Sequence, residues 1–177
     1  MVKLALSLAA LAMSTATLVA AAPSATQTSK TTFSFAEWVE DLIAHPDTAL
    51  SADEAIAAAH AADVVGSAGG LRARAPSCDV SFPSANGRDA AACVDNLAAK
   101  GRNGVNCVAD TVGYFCQIGG AEIVGVSGSA SRQSANCNDI ARTAGLIFDS
   151  CWRADDTVKG SELCITNNQL MVHISGR

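Results

Sequence analysis

The distribution of cysteine constrains this chain more than any other feature of its sequence. The chain has 177 residues and seven cysteines, and the first of them is Cys78. Cysteines clustered in a small secreted domain form disulfides, whereas in a reducing compartment the same residues are more often metal ligands or catalytic thiols. Whether the chain is exported therefore decides what its cysteines do.

The N-terminus has the pattern of a secretory signal. A short charged start, residues 1–3, precedes an uncharged segment rich in Leu and Ala over 4–22, and the small residues at 19–21 suit signal peptidase. We predict a signal peptide over residues 1–21. The alternative is a membrane anchor, but the stretch is Ala- and Ser-rich and lies at the lower end of the roughly 17–25 residues that span a bilayer. With no later apolar segment of that length, the sequence predicts a secreted, extracellular protein without a membrane span.

Secretion favours disulfides over metal binding. The sequence contains no C-x-x-C pair, and His173 is the only histidine after Arg74. A zinc site needs several His or Cys ligands close together. We therefore predict no metal and no cofactor.

The segment before the cysteines is predicted to be a propeptide. Two capping boxes, Ser34 with Glu37 and Ser51 with Glu54, each open a short helical pattern. A glycine-rich break over 66–70 follows, and Arg72 and Arg74 lie just beyond it. Proteases cut at exposed, flexible segments. We predict a propeptide with two short helices over 22–74 and a cysteine-rich domain over 75–177; the alternative is a helical hairpin that the mature protein keeps.

The cysteine-rich domain alternates helix and strand patterns. Helices are predicted from the Asn86 cap to Lys100, closed by Gly101, and from the Asn136 cap to Cys151. Strands are predicted over 79–82, 105–109, 113–118, 121–126, 157–160 and 169–174, with 105–118 forming a hairpin and 127–134 a loop. This order predicts a small α+β two-layer sandwich, an antiparallel sheet with two helices on one face in a split βαβ-like layout.

Six cysteines fit disulfides in this layout. They lie on the inward stripes of the two helices, on one face of the predicted hairpin and at the start of the domain, and their connectivity stays open. The set is Cys78, Cys93, Cys107, Cys116, Cys137 and Cys151. Cys164 is the seventh, in a polar connection close to Asn167 and Asn168. We predict that it is unpaired, in an exposed turn, and able to link two chains into a disulfide homodimer.

Few side chains of the domain suggest chemistry. His173 is either a general base or, as we favour, a solvent-side residue of a strand. Asp155 and Asp156 form an acidic pair, more typical of a solvated turn than of a cation site. Trp152 either contacts a partner or covers the end of the second helix. By count, residues 75–177 hold eight Lys and Arg against ten Asp and Glu, which argues against nucleic acid as a partner.

The chain resembles small secreted fungal cysteine-rich proteins of the effector and killer-toxin-like kind. The resemblance rests on the leader "TFSFAEWVEDLIAHPDTALSADEAIAAA" and on the domain segments "FCQIGGAEIVGV" and "CNDIARTAGLIFDSC". It implies a compact αβ sandwich, action outside the cell on a host or competitor target, and no enzyme activity. Two alternatives stay open: a small secreted hydrolase or ribonuclease that uses His173, and a structural surface protein of the producing cell.

Overall fold

The computed structural model describes residues 33–62 and 75–177, which belong to one compact unit. The predicted signal peptide, Arg72 and Arg74 lie outside the described residues. Four helices are present in the described part: α1 (Phe35–Ala44), α2 (Ala52–Ala61), α3 (Gly87–Arg102) and α4 (Cys137–Cys151). The strands there are β1 (Ala85–Asn86), β2 (Asn106–Ala109), β3 (Val112–Ile118), β4 (Ala121–Ser127), β5 (Gln133–Asn136), β6 (Thr157–Val158), β7 (Gly160–Cys164) and β8 (Asn167–Gly176).

A four-stranded antiparallel sheet forms one layer of the domain, in the order β3-β4-β8-β7. Alternation along β8 buries Leu170, Val172 and Ile174 completely, while Met171 and His173 point to the other face. Helices α3 and α4 pack against the sheet, α3 on β3 and β4 and α4 on β7 and β8. The predicted α+β class, with two helices on an antiparallel sheet and disulfides joining the layers, is confirmed.

Both helices of the domain begin at the predicted asparagines. The side chain of Asn86 accepts hydrogen bonds from the backbone N–H groups of Arg88 and Asp89, and that of Asn136 accepts one from Asn138. Helix α3 continues through Gly101, where the sequence predicted its end. Gly101 lies against Asn138 of α4 so closely that a side chain would collide with it. This glycine therefore permits a helix crossing and does not terminate the helix.

The predicted hairpin over 105–118 is wrong. Strand β2 pairs with β5, in the register Cys107 to Ala135, and β3 pairs with β4. The Cys107–Cys137 disulfide holds β2 at the start of α4 and so next to β5. A β-bulge between Tyr114 and Cys116 also places these two residues on opposite faces, since Tyr114 is 64% exposed and Cys116 is buried.

Three further strand assignments differ from the sequence prediction. Residues 79–82 form no strand, although Ser77 makes an isolated bridge to Ser161. Strands β5 and β7 occupy stretches that the polar sequence predicted as loop or connection. Both strands obtain their hydrogen bonds from partners distant in sequence, β5 from β2 and β7 from β8. Local sequence pattern carries little information about such pairing.

Three disulfides join the layers, and they use the six cysteines that the sequence assigned to disulfides. Cys93–Cys116 links α3 to β3, and Cys107–Cys137 links β2 to the first residue of α4. Cys78–Cys151 links the segment before β1 to the last residue of α4, across a separation of 73 residues. These bridges connect elements that are far apart in the chain, which is the arrangement that most restricts the unfolded state.

Cys164 is the free cysteine among the described residues, and it is buried. The expectation of an exposed turn is wrong, because Cys164 ends β7 and is only 3% exposed. The following backbone N–H, that of Ile165, donates to Thr143 Oγ1 of α4 over 3.2 Å. The thiol therefore lies under α4 and not at the surface.

Candidate interaction surface

Helices α1 and α2, here called the leader helices, pack on the outer side of α3 and α4. Helix α1 contacts both of them and α2 contacts α3. Each leader helix begins at the predicted serine, Ser34 or Ser51, and the second capping box is complete. The apolar residues of α1 and α2 are buried in this contact: Phe35, Trp38, Val39, Leu42, Ala55, Ile56 and Ala59.

The contacted surface of the cysteine-rich domain, here called the leader-binding face, consists of Arg102, Arg142, Gly145, Phe148, Asp149 and Trp152. Its centre is aromatic. The ring centroids of Phe35 and Phe148 are 4.5 Å apart, and that of Trp152 is 5.7 Å from Phe35. All three side chains are almost fully buried. Removing α1 would expose two large aromatic rings of the domain, a feature typical of protein interfaces.

Trp152 lies at the end of α4 and contacts the leader at the same time. Its indole packs on Phe148, with ring centroids 5.9 Å apart, and on His60 of α2 at 5.8 Å. Gly87, the first residue of α3, leaves the space that the indole occupies. Trp152 thus covers the helix end, one of the two roles that the sequence left open, and it also contacts α2 of the same chain. Contact of Trp152 with a partner stays a prediction.

Asp149 binds the N-terminus of α1. Its Oδ1 accepts the N–H of Phe35 over 2.6 Å, and its Oδ2 accepts the N–H of Ala36 over 3.1 Å. The Ser34 hydroxyl also donates to Oδ2, over 2.8 Å. The first N–H groups of a helix have no partner within the helix and carry partial positive charge. A carboxylate of α4 therefore satisfies these donors from outside the leader.

Arginines bind the rest of α1. Arg102 donates to the carbonyl oxygen of Leu42 over 2.6 Å, in the last turn of α1, which contains no basic residue of its own. Arg142 makes two hydrogen bonds to the Glu40 carboxylate, of 2.7 and 3.0 Å, and a third to Asp139. These bonds, that to Glu40 foremost, raise the pKa of Arg142. The face thus presents an anion to one end of α1 and a cation to the other, which matches the helix dipole.

The contacts of α2 are more exposed. Arg88 lies 3.3 Å from the Asp53 carboxylate, and His60 Nε2 lies 3.0 Å from Asp156. Asp155 accepts from the hydroxyl and the N–H of Thr157, which lowers its pKa, so the acidic pair belongs to a turn. No group of three potential metal ligands occurs in residues 33–62 and 75–177.

His173 lies on the sheet face away from α3 and α4. It pairs in register with Val124 of β4 and Ser161 of β7, and the Phe82 ring packs edge-on against it at 5.2 Å. Its buried Nδ1 has no hydrogen-bond partner among the described residues. Burial lowers the pKa of the imidazole. No carboxylate of the described residues accepts a hydrogen bond from Nδ1, whereas a general base is oriented by such a bond.

A shallow cleft of 420 Å³ lies beside the Cys78–Cys151 disulfide. Its charged walls are Asp79, Arg153 and Lys159. The ammonium group of Lys159 already donates to the carbonyl oxygen of Val80 over 2.8 Å. Lys159 therefore holds the segment after Cys78 in place.

Sequence reasoning did not single out Asp149, Arg142 or Arg102. One signal was available for Asp149: it lies in the last turn of α4, where the helix dipole disfavours a carboxylate and where no basic residue is present. An acidic residue at that position needs an external donor. The N-terminus of α1 is that donor.

The family model of a domain of unknown function (DUF8794) matches residues 73–176. No curated protein and no solved structure matches the chain significantly. Among the described residues, none of the helices is long and apolar enough to cross a membrane.

Proposed function

This chain belongs to the DUF8794 family, and we propose that it is a secreted, non-enzymatic protein of the effector-like or toxin-like kind, acting on a host or competitor target outside the cell. In this proposal the chain is made as a pro-form. The leader helices cover the leader-binding face until a protease cuts near Arg72 and Arg74, and the domain from Ala75 onward is the acting form.

One observation carries the proposal: the leader covers an aromatic surface and is bound there by specific polar contacts. Asp149, Arg102 and Arg142 contact the two ends and the middle of α1. The residues matched by the family begin at 73, so both leader helices lie outside the matched region. A leader that is separate from the family domain and that masks an apolar face supports a form released by proteolysis.

The disulfides support action outside the cell. Three bridges within one small domain are typical of secreted proteins, because the cytosol keeps thiols reduced. The fungal origin suggested by the resemblance belongs to this proposal as well. A role as a structural surface protein would have the same disulfides, and it differs in where the released form accumulates.

The hydrolase alternative has weaker support. It depends on His173, whose buried Nδ1 has no hydrogen-bond partner in residues 33–62 and 75–177 and whose ring packs against Phe82. A disulfide homodimer through Cys164 would need the buried thiol to reach the surface. The proposal therefore takes the acting form to be a monomer that uses its leader-binding face.

The test compares processed and unprocessed protein. We expect the secreted wild type to begin near Ala75, by N-terminal sequencing and intact mass, and its fluorescent conjugate to bind host or competitor cells. The double variant Arg72→Ala, Arg74→Ala should keep the leader and fail to bind. Arg132→Ala, which changes an exposed arginine of the domain, is the matched control and should behave as wild type.

Three results would count against the proposal. A secreted wild type that begins at residue 22 or 23 would remove the processing step. Equal binding to cells by the leader-bearing variant would show that the leader does not control binding. A released form found only on the wall of the producing cell would favour the structural role, and a catalytic activity lost in His173→Ala would favour the hydrolase.

A further inference from the structure

The leader-binding face has the features of a receptor for one particular kind of helix. It contacts α1 at four places: the donors of the first turn, the apolar side, Glu40 in the middle and a carbonyl oxygen in the last turn. Contacts at both ends fix the length and direction of the bound helix. A face that only needed covering would require the apolar contact alone.

The close approach of the two helices supports the same conclusion. At Gly145 of α4, an added Cβ would meet the backbone of Phe35 and Ala36 at 3.1 Å. The α1 backbone therefore lies directly on α4, and the Phe35 ring reaches Phe148 and Trp152 beside it. The close approach of the α1 backbone therefore depends on the absence of a side chain at Gly145.

We infer that, after release of the leader, this face binds an amphipathic helix of the target protein. The target helix has the chemistry of α1: a free first turn for Asp149, large apolar residues at the positions of Phe35, Trp38, Val39 and Leu42, and an acidic residue at the position of Glu40 for Arg142. The inference deepens the proposed function, because it names the partner class of the face that the leader covers.

Charge complementarity defines the helix that this face accepts. Arg102 gives the face a cation at the far end of the groove, and Arg142, which also bonds Asp139, gives it one in the middle. Asp149 gives it an anion at the near end. An acidic helix satisfies all three groups when its N-terminus lies at Asp149. The reversed helix would place its terminal carbonyl groups against Asp149, which is unfavourable.

The leader can be exchanged because nothing covalent holds it after a cut. Residues 22–74 contain no cysteine, so a single cleavage leaves only non-covalent contacts. The full chain is folded first, with a site-specific protease sequence in place of residues 66–70, and is then cut. A fluorescent peptide of residues 33–62 is added, and its binding is followed by anisotropy.

The decisive probe is a grafted helix. An Ala-rich helix of about 15 residues, long enough to be partly helical in water, carries only the side chains of Ser34, Phe35, Trp38, Val39, Glu40 and Leu42 at the α1 spacing. It should compete with the fluorescent peptide. The same helix with Lys at the Glu40 position should compete about tenfold less well.

Charge exchange supplies the matched control. Arg142→Glu in the chain should weaken binding of the Glu-bearing helix. It should restore the affinity of the Lys-bearing helix to within about threefold of that of the original pair. Intact disulfide mapping and circular dichroism report whether this variant is folded. If it is not, Arg102→Gln, at the other end of the groove, should weaken binding of the grafted helix in the same assay.

Failure of the grafted helix to compete, or competition independent of the charge at the Glu40 position, overturns the inference. If leader removal still gives binding to target cells in that case, only the inference is lost. If the grafted helix binds while leader removal does not change binding to cells, the face still binds a helix of the α1 type, and the proposed function is lost.

Discussion

Asp149 is the residue whose substitution best separates the full chain from the proposed processed form. In the full chain, Asp149→Ala removes the acceptor for Phe35 N–H, Ala36 N–H and the Ser34 hydroxyl. Loss of a helix cap typically costs about 0.5–2 kcal/mol, so we expect the free energy of unfolding in urea to fall by about that amount. In the processed form the same substitution should be neutral or stabilising, because it removes an anion from the C-terminus of α4.

The control is Asp110→Ala, which removes a carboxylate whose side chain is 83% exposed. It should change the unfolding midpoint little in either form. An Asp149→Ala full chain as stable as this control would mean that the three hydrogen bonds add nothing to leader binding.

At the residue scale, His173 should also affect how the stability of the fold responds to acid. Burial lowers the pKa of the folded imidazole below its ordinary value of 6.5. The unfolded chain therefore binds the proton more readily than the folded chain, and stability present above pH 6.5 falls as the pH drops through the folded pKa. We expect His173→Gln to flatten the stability profile below pH 6.5, measured by urea unfolding across pH. A His173→Gln profile with the wild-type slope below pH 6.5 would contradict this expectation.

At the scale of elements, the crossing of α1 and α4 is set by Gly145. Alanine in the interior of a helix is favoured over glycine by about 0.8–1.0 kcal/mol. Gly145→Ala should therefore raise the Tm of the processed form. In the full chain, the new methyl group meets α1 backbone at 3.1 Å, and the leader must shift away. We expect the Tm of the full chain to fall, and a rise in both forms would show that α1 accommodates the methyl group.

The elements also show which parts of the fold can be predicted from the sequence. The starts of all four helices were predictable because Ser34, Ser51, Asn86 and Asn136 cap them through bonds to nearby residues. The pairing of β2 with β5 was not, because the Cys107–Cys137 bridge and a partner far along the chain decide it. Asp149 belongs to this second group, since its donors are more than a hundred residues away. Local patterns therefore gave the helices and the cysteine set, and contacts distant in sequence gave the candidate site.

For the whole molecule, the position of Cys164 determines the expected oligomeric state. The sequence predicted an exposed thiol and a disulfide dimer, whereas the thiol is buried under α4. Thiol chemistry requires access to the sulfur. We expect maleimide to label Cys164 slowly in the folded protein and rapidly in urea, with a monomer band on a non-reducing gel.

Cys164→Ser is the control for both measurements and should remove the urea-dependent labelling. Rapid labelling of the folded wild type, or a dimer band that this variant abolishes, would support the exposed thiol that the sequence predicted.

The absence of cysteine from residues 22–74 has a consequence for where the protein acts. While the chain is uncut, the leader is present at its face at an effective concentration of the order of millimolar, as for any short tether. After a cut, occupancy depends on the amount of free leader nearby. If the chain is secreted and cut as proposed, both fragments are concentrated close to the producing cell, and there the leader would rebind and shield the face. With diffusion the complex would dissociate, so dilution would determine the distance at which the face becomes free.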